Sequence, residues 1–76
     1  MDEKVLSILA ELCDDDIVKT NRDINLFEVG LLDSLTVAEL LFAIEENFNI
    51  IISPSEVKRE DMATPNKIIN IIRERM

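Results

Sequence analysis

The residues best placed to do chemistry are Asp33 and Ser34, within Gly30-Leu31-Leu32-Asp33-Ser34-Leu35. They stand at the mouth of a strongly amphipathic stretch that reads as a helix. A helix N-terminus presents free backbone N–H groups and the positive end of the peptide dipole. Both favour a phosphate esterified to a serine hydroxyl at that point. The same pair also fits plain helix capping, since either side chain can accept a bond from the first-turn N–H groups. Position alone leaves both readings open.

Little else in the chain resembles a catalytic centre. There is no histidine, so Ser–His and Cys–His nucleophile arrangements are absent. No zinc ligand set or glycine-rich phosphate loop is present. Cys13 is the single cysteine; it cannot form an internal disulfide and reads as a small core residue. Asp14-Asp15-Asp16 lack the alternating carboxylates, glycine and distal glutamate of a calcium loop. They read as a solvated charge run, and no metal is expected. The chain is not expected to be an enzyme.

The elements that must position Ser34 follow from apolar spacing. Val5, Ile8, Leu9 and Leu12 recur at helical spacing and predict a first helix over about 2–13. A long connection, about 14–33, is studded with Ile17, Val18, Ile24, Leu26, Phe27, Val29, Leu31 and Leu32. Such residues can pin an irregular segment onto helices. Gly30, the only glycine, fits a position of positive φ or close packing just before the serine. Val37, Leu40, Leu41, Ile44 and Phe48 predict a second helix over about 34–48, with these residues as its core stripe. At about 100° per residue, Leu35, Ala38, Glu39, Phe42 and Glu46 fall on the far side. Single exposed apolar residues are normal, but this cluster beside Ser34 predicts a docking face.

Ile50-Ile51-Ile52 has no apparent partner strand and reads as buried loop. Ser53-Pro54-Ser55-Glu56 has the form of a capping box with proline at the first helical position. It predicts a short third helix to about 60. Thr64-Pro65 repeats the signal and predicts a last helix to about 75. Ile68, Ile71 and Ile72 form its expected core face, with Ile69 at the border. The fold class is all-α: a small bundle of three main helices plus a short one, in a single domain over 1–76.

Composition agrees. One glycine and two prolines leave little turn chemistry, and 4% aromatic content leaves an aliphatic core. The net charge of −8 makes nucleic acid a poor partner and basic protein patches a better one. Simple solubility explains the acidity equally well. No apolar run approaches the roughly 18 residues of a membrane span, and no signal-peptide pattern is visible. The expectation is a cytoplasmic monomer without direct membrane insertion.

Asp33-Ser34-Leu35, in a small acidic helical chain with a long first loop, resembles the attachment site of acyl and peptidyl carrier proteins. The resemblance extends along nearly the whole chain. Asp16-Ile17-Val18-Lys19 followed by Asn21, Leu26-Phe27-Glu28 leading into Gly30, and Ala63-Thr64-Pro65-Asn66-Lys67-Ile68 resemble the D-alanyl branch of that family in Gram-positive bacteria. Thr36 stands where fatty-acid carriers commonly have an acidic residue. Met62 stands where many members of the D-alanyl branch have an aromatic one.

The resemblance implies that Ser34 carries 4′-phosphopantetheine, whose thiol holds D-alanine as a thioester. It implies three partners: a holo-carrier-protein synthase, a D-alanine-activating ligase and a membrane acyltransferase serving D-alanylation of teichoic acids. Asp33 would be recognised by the synthase, with Leu35, Glu39 and Phe42 on the partner face. The thiol chemistry belongs to the cofactor, while the protein supplies attachment, presentation and recognition. The alternatives are a carrier for fatty-acid, polyketide or nonribosomal peptide synthesis, and a degenerate carrier acting only as an interaction protein.

Overall fold

A computed structural model describes residues 1–76. Helix α1 spans Asp2–Cys13, α2 Ile17–Thr20, α3 Ser34–Phe48 and α4 Pro65–Glu74. Two 3₁₀ turns, Pro54–Glu56 and Arg59–Met62, lie between α3 and α4. There is no strand, and the expected small helical bundle is present.

Helix α1 packs against α2, α3 and α4. Neighbours on several sides widen its buried stripe: Leu6 and Ala10 join Val5 and Leu9 in the core, while Ile8 and Leu12 are half-buried. The aspartates that follow act as punctuation. Asp14 adopts the left-handed conformation (φ 53°) that ends α1. The Asp15 carboxylate then accepts the Ile17 N–H at 3.0 Å.

Helix α2 lies inside the stretch expected to be irregular. Four residues cannot display a helical period, and only Val18 of this turn is fully buried. Ile17 and Val29 face solvent instead of pinning the segment. Leu26 and Leu32 do the pinning from within the core, with Ile24, Phe27 and Leu31 half-buried against it.

The rest of the connection is held by hydrogen bonds to the start of α4. Leu26 N–H donates to the Ala63 carbonyl at 2.7 Å, and Asn66 N–H donates to the Arg22 carbonyl at 3.0 Å. The Asn66 amide reaches Asp23 at 2.9 Å. The block from Ala63 to Asn66 is therefore the anchor of the long loop.

The isoleucine run is not uniformly buried. Ile52 enters the core and Ile50 is half-buried, but Ile51 is 74% exposed. Burial alternates along this run, with Ile51 turned away from the side that Ile50 and Ile52 share. The expected third helix is two 3₁₀ turns broken at Val57, whose extended backbone (φ −126°, ψ 145°) lets its side chain pack on the core. The capping box is present, with Ser53 N–H donating to the Glu56 carboxylate at 2.7 Å. In α4, Thr64 caps and Pro65 occupies the first turn. Ile68, Ile69 and Ile72 are buried and Ile71 is only half-buried. The buried face is rotated toward Ile69 because α4 packs on both α1 and the Arg59–Met62 turn.

Candidate functional site

The chain reaches Ser34 through a tight turn. The Asn25 side-chain oxygen accepts the N–H groups of Phe27 and Glu28 at 3.1 and 3.0 Å. The Leu26 carbonyl accepts from both Leu31 and Leu32, at 2.9 and 3.0 Å. Gly30, directly before this pair, has φ 80°, a conformation that L side chains rarely adopt. Leu32 then drops into the core at 3% exposure and fixes where α3 begins.

Asp33 is the helix cap. One of its carboxylate oxygens accepts the Thr36 N–H and the Thr36 hydroxyl, both at 2.9 Å. These bonds, backbone first and hydroxyl second, hold the Asp33 carboxyl below its usual range against partial desolvation; the Leu35 N–H adds to them. The two alternatives for the Asp33-Ser34 pair are thus separated. Capping falls to Asp33, and Ser34 is the first residue of α3, exposed at the surface.

Beside Ser34 lies a cleft of about 230 Å³, lined by Phe27, Val37, Pro54, Val57, Lys58, Arg59 and Met62. An exposed hydroxyl, an apolar wall and two cations fit a phosphodiester bearing a long flexible arm. Val37, expected in the core stripe, is half-buried because it contributes to this wall. Met62 is 2% exposed, so it is a core residue that also forms the cleft floor.

The far side of α3 is laid out as its periodicity predicts. Leu40, Leu41 and Ile44 are buried, whereas Leu35 is 69% and Phe42 62% exposed. Ala38, Glu39 and Glu46 are exposed as well. A groove of about 540 Å³ runs between α1 and α3, with Leu12, Ala38, Phe42 and Ala43 as its apolar part and Glu39, Glu46 and Asn47 as its polar part. Asp33 and Leu35 stand outside this groove, next to Ser34.

Sequence reasoning missed Phe27, Lys58 and Arg59 as neighbours of Ser34. One signal was available. Lys58-Arg59 is the only adjacent pair of basic residues in a chain of net charge −8.

The family model described as "Phosphopantetheine attachment site" matches residues 3–72. The chain is 51% identical over 72 residues to the D-alanyl carrier protein of Bacillus subtilis (strain 168), covering 95% of this chain and 92% of that one. It is 47% identical over 72 residues to the D-alanyl carrier protein of Bacillus cereus (strain B4264), covering 95% and 91%. It is 43% identical over 76 residues to that of Abiotrophia defectiva, covering 100% and 96%. Over nearly its full length, then, the chain has the sequence of a phosphopantetheine-dependent carrier, and it belongs to the D-alanyl carrier protein family.

Proposed function

We propose that Ser34 is the attachment residue and that the chain, as a single carrier domain over residues 1–76, ferries D-alanine. The route runs from a D-alanine-activating ligase to a membrane acyltransferase for D-alanylation of teichoic acids. A holo-carrier-protein synthase installs the prosthetic group beforehand. The protein works in the cytoplasm as a monomer and performs no catalysis of its own.

The observation that carries this reading is the division of labour at the start of α3. Asp33 takes the capping bond, which leaves the Ser34 hydroxyl exposed for another protein to reach. When bound, the phosphopantetheine supplies a thiol that holds the aminoacyl group. The chain's own residues orient and present. Leu32 and the Asp33–Thr36 bonds fix the serine on a rigid helix start. Leu35 and Phe42 offer exposed apolar anchors on that helix. Ala38 completes the apolar floor, and Glu39, Glu46 and Asp33 supply charge for a basic partner surface.

The test is intact mass after incubation with a phosphopantetheinyl transferase, coenzyme A and Mg²⁺. Wild type should gain one phosphopantetheine and Ser34→Ala none. Holo-protein should then accept D-alanine, as a hydroxylamine-sensitive adduct, from a D-alanine-activating ligase. Addition to the Ala variant would overturn the site. Loading by a malonyl transferase without any D-alanine loading would overturn the cargo.

A further inference from the structure

The cations of this acidic chain are not all spent on ion pairs. Lys19, Arg22, Arg73 and Arg75 each approach a carboxylate within 4.0 Å. Lys58 and Arg59 do not; both are exposed, and both line the cleft that Ser34 borders. The Arg59 guanidinium lies 4.8 Å from the centre of the Phe27 ring.

Their backbone is held in place. Lys58 N–H donates to the Asp61 carboxylate at 3.0 Å, and Met62, at the end of the same turn, is anchored in the core. Phe27 also packs against the core. Two positively charged side chains are thus carried on an anchored backbone at the rim of a partly apolar cleft, whose low-dielectric walls strengthen their field.

A phosphodiester on Ser34 would add a negative charge directly beside the Asp33 carboxylate, on a chain already at −8. It needs a counter-charge, and this rim supplies one. We propose that Lys58 and Arg59 form a cationic seat for the phosphodiester on Ser34 and thereby lay the first part of the arm along the Val37–Val57–Met62 wall. The proposal rests on Ser34 being the attachment residue.

The experiment separates the two. Wild type, S34A, K58Q/R59Q, R59K and K19Q are treated with a phosphopantetheinyl transferase and coenzyme A, and intact masses are read first. No gain for wild type, or a gain for S34A, overturns the attachment reading and the seat with it. With attachment established, ³¹P NMR of each holo-protein is recorded at low and high salt, with ¹H–¹⁵N spectra of the apo and holo forms.

The ³¹P resonance of wild type and K19Q should be displaced from its position in the same protein unfolded in urea. Added salt should move it toward that position. In K58Q/R59Q it should lie there at every salt concentration, and R59K should keep the displacement. Amide shifts of Val37, Val57 and Met62 between apo and holo forms should be lost only in K58Q/R59Q. Identical ³¹P and amide behaviour in wild type and K58Q/R59Q would overturn the seat. If the double variant loses its folded amide dispersion, K58Q alone decides by the same comparison, since its backbone bond to Asp61 remains.

Discussion

Thr36 gives both its backbone N–H and its hydroxyl to a single carboxylate oxygen of Asp33, each at 2.9 Å. The bond ties the residue before Ser34 to the residue two after it. It closes the first turn of α3 without using the serine, so Ser34 carries no capping duty of its own.

The linkage gives Asp33 a pH signature. Its carboxyl titrates below the ordinary aspartate value of about 3.9, because the bonds from Thr36 favour the ionised form. A group lowered in the folded state contributes stability that is complete above its unfolded pKa. That contribution fades as pH falls through the lower folded value. Carbon-13 titration of the side chain should show the lowered value, and Thr36→Val should raise it part of the way back. A wild-type Asp33 that titrates at or above 3.9 would contradict the geometry.

Stability should follow the cap and not the serine. Asp33→Ala should lower the urea midpoint measurably, as loss of a helix cap does. Ser34→Ala should stay within about 0.5 kcal/mol of wild type. Urea midpoints compared at constant slope decide it, and equal losses for the two variants would mean that the capping bond is shared.

The two sides of α3 should separate folding from docking. Leu41 is 6% exposed, and Leu41→Ala should cost about 2–5 kcal/mol, most of the stability of so small a domain. Phe42→Ala opens no cavity and should leave the melting temperature nearly unchanged while slowing loading by the ligase. Glu39→Lys should lower the association rate most at low salt. Comparable melting losses for Leu41→Ala and Phe42→Ala would place the docking surface elsewhere.

Cys13 should be a sluggish thiol. Partial burial, and then the nearby Asp15 carboxylate, push its pKa up, so less thiolate is present near neutrality. In apo-protein it should react with iodoacetamide more slowly than glutathione does at the same pH. A rate equal to or faster than that of glutathione would show that the α1 terminus opens readily in solution.

Gly30 offers a test of conformation alone. A Cβ added there meets nothing within 4 Å, yet the backbone sits at φ 80°. Gly30→Ala should therefore cost about 1–2 kcal/mol through strain and not through collision. That corresponds to a drop of several degrees in melting temperature for a domain of this size. An unchanged melting temperature would mean that the turn relaxes without penalty.

Long periodic segments were the legible part of this chain. The ranges of α1 and α3 and the exposed side of α3 follow from apolar spacing, because one stripe of each helix faces the core. Short elements were not legible. Ile17–Thr20 is one turn long, and Val57 interrupts what looked like a continuous third helix by reaching into the core. Leu6, Ala10 and Ile69 are buried by neighbours approaching from a second side, which no single-helix pattern encodes. Ile51 is exposed between half-buried Ile50 and buried Ile52, an alternation that three identical residues do not announce. At the site, Asp33 and Ser34 were readable as a pair, but their division of roles needed the Thr36 geometry. Lys58 and Arg59 join the cleft beside Ser34 only through tertiary folding.

Asp2, at the start of α1, accepts from Arg73 of α4 at 3.0 Å and lies 3.5 Å from Arg22. Ile68, Ile69 and Ile72 of that last helix fill the same core as Val5, Leu6 and Leu9. The residues of α1 thus leave the ribosome well before the α4 residues they pack against. At about 5–20 residues per second, translation leaves the aliphatic face of α1 without its α4 neighbours for several seconds. The nascent chain cannot finish its core piecemeal. Stalling or truncation before residue 68 should yield a species that chaperones and proteases treat as unfinished, with Ser34 not yet mounted on a stable helix.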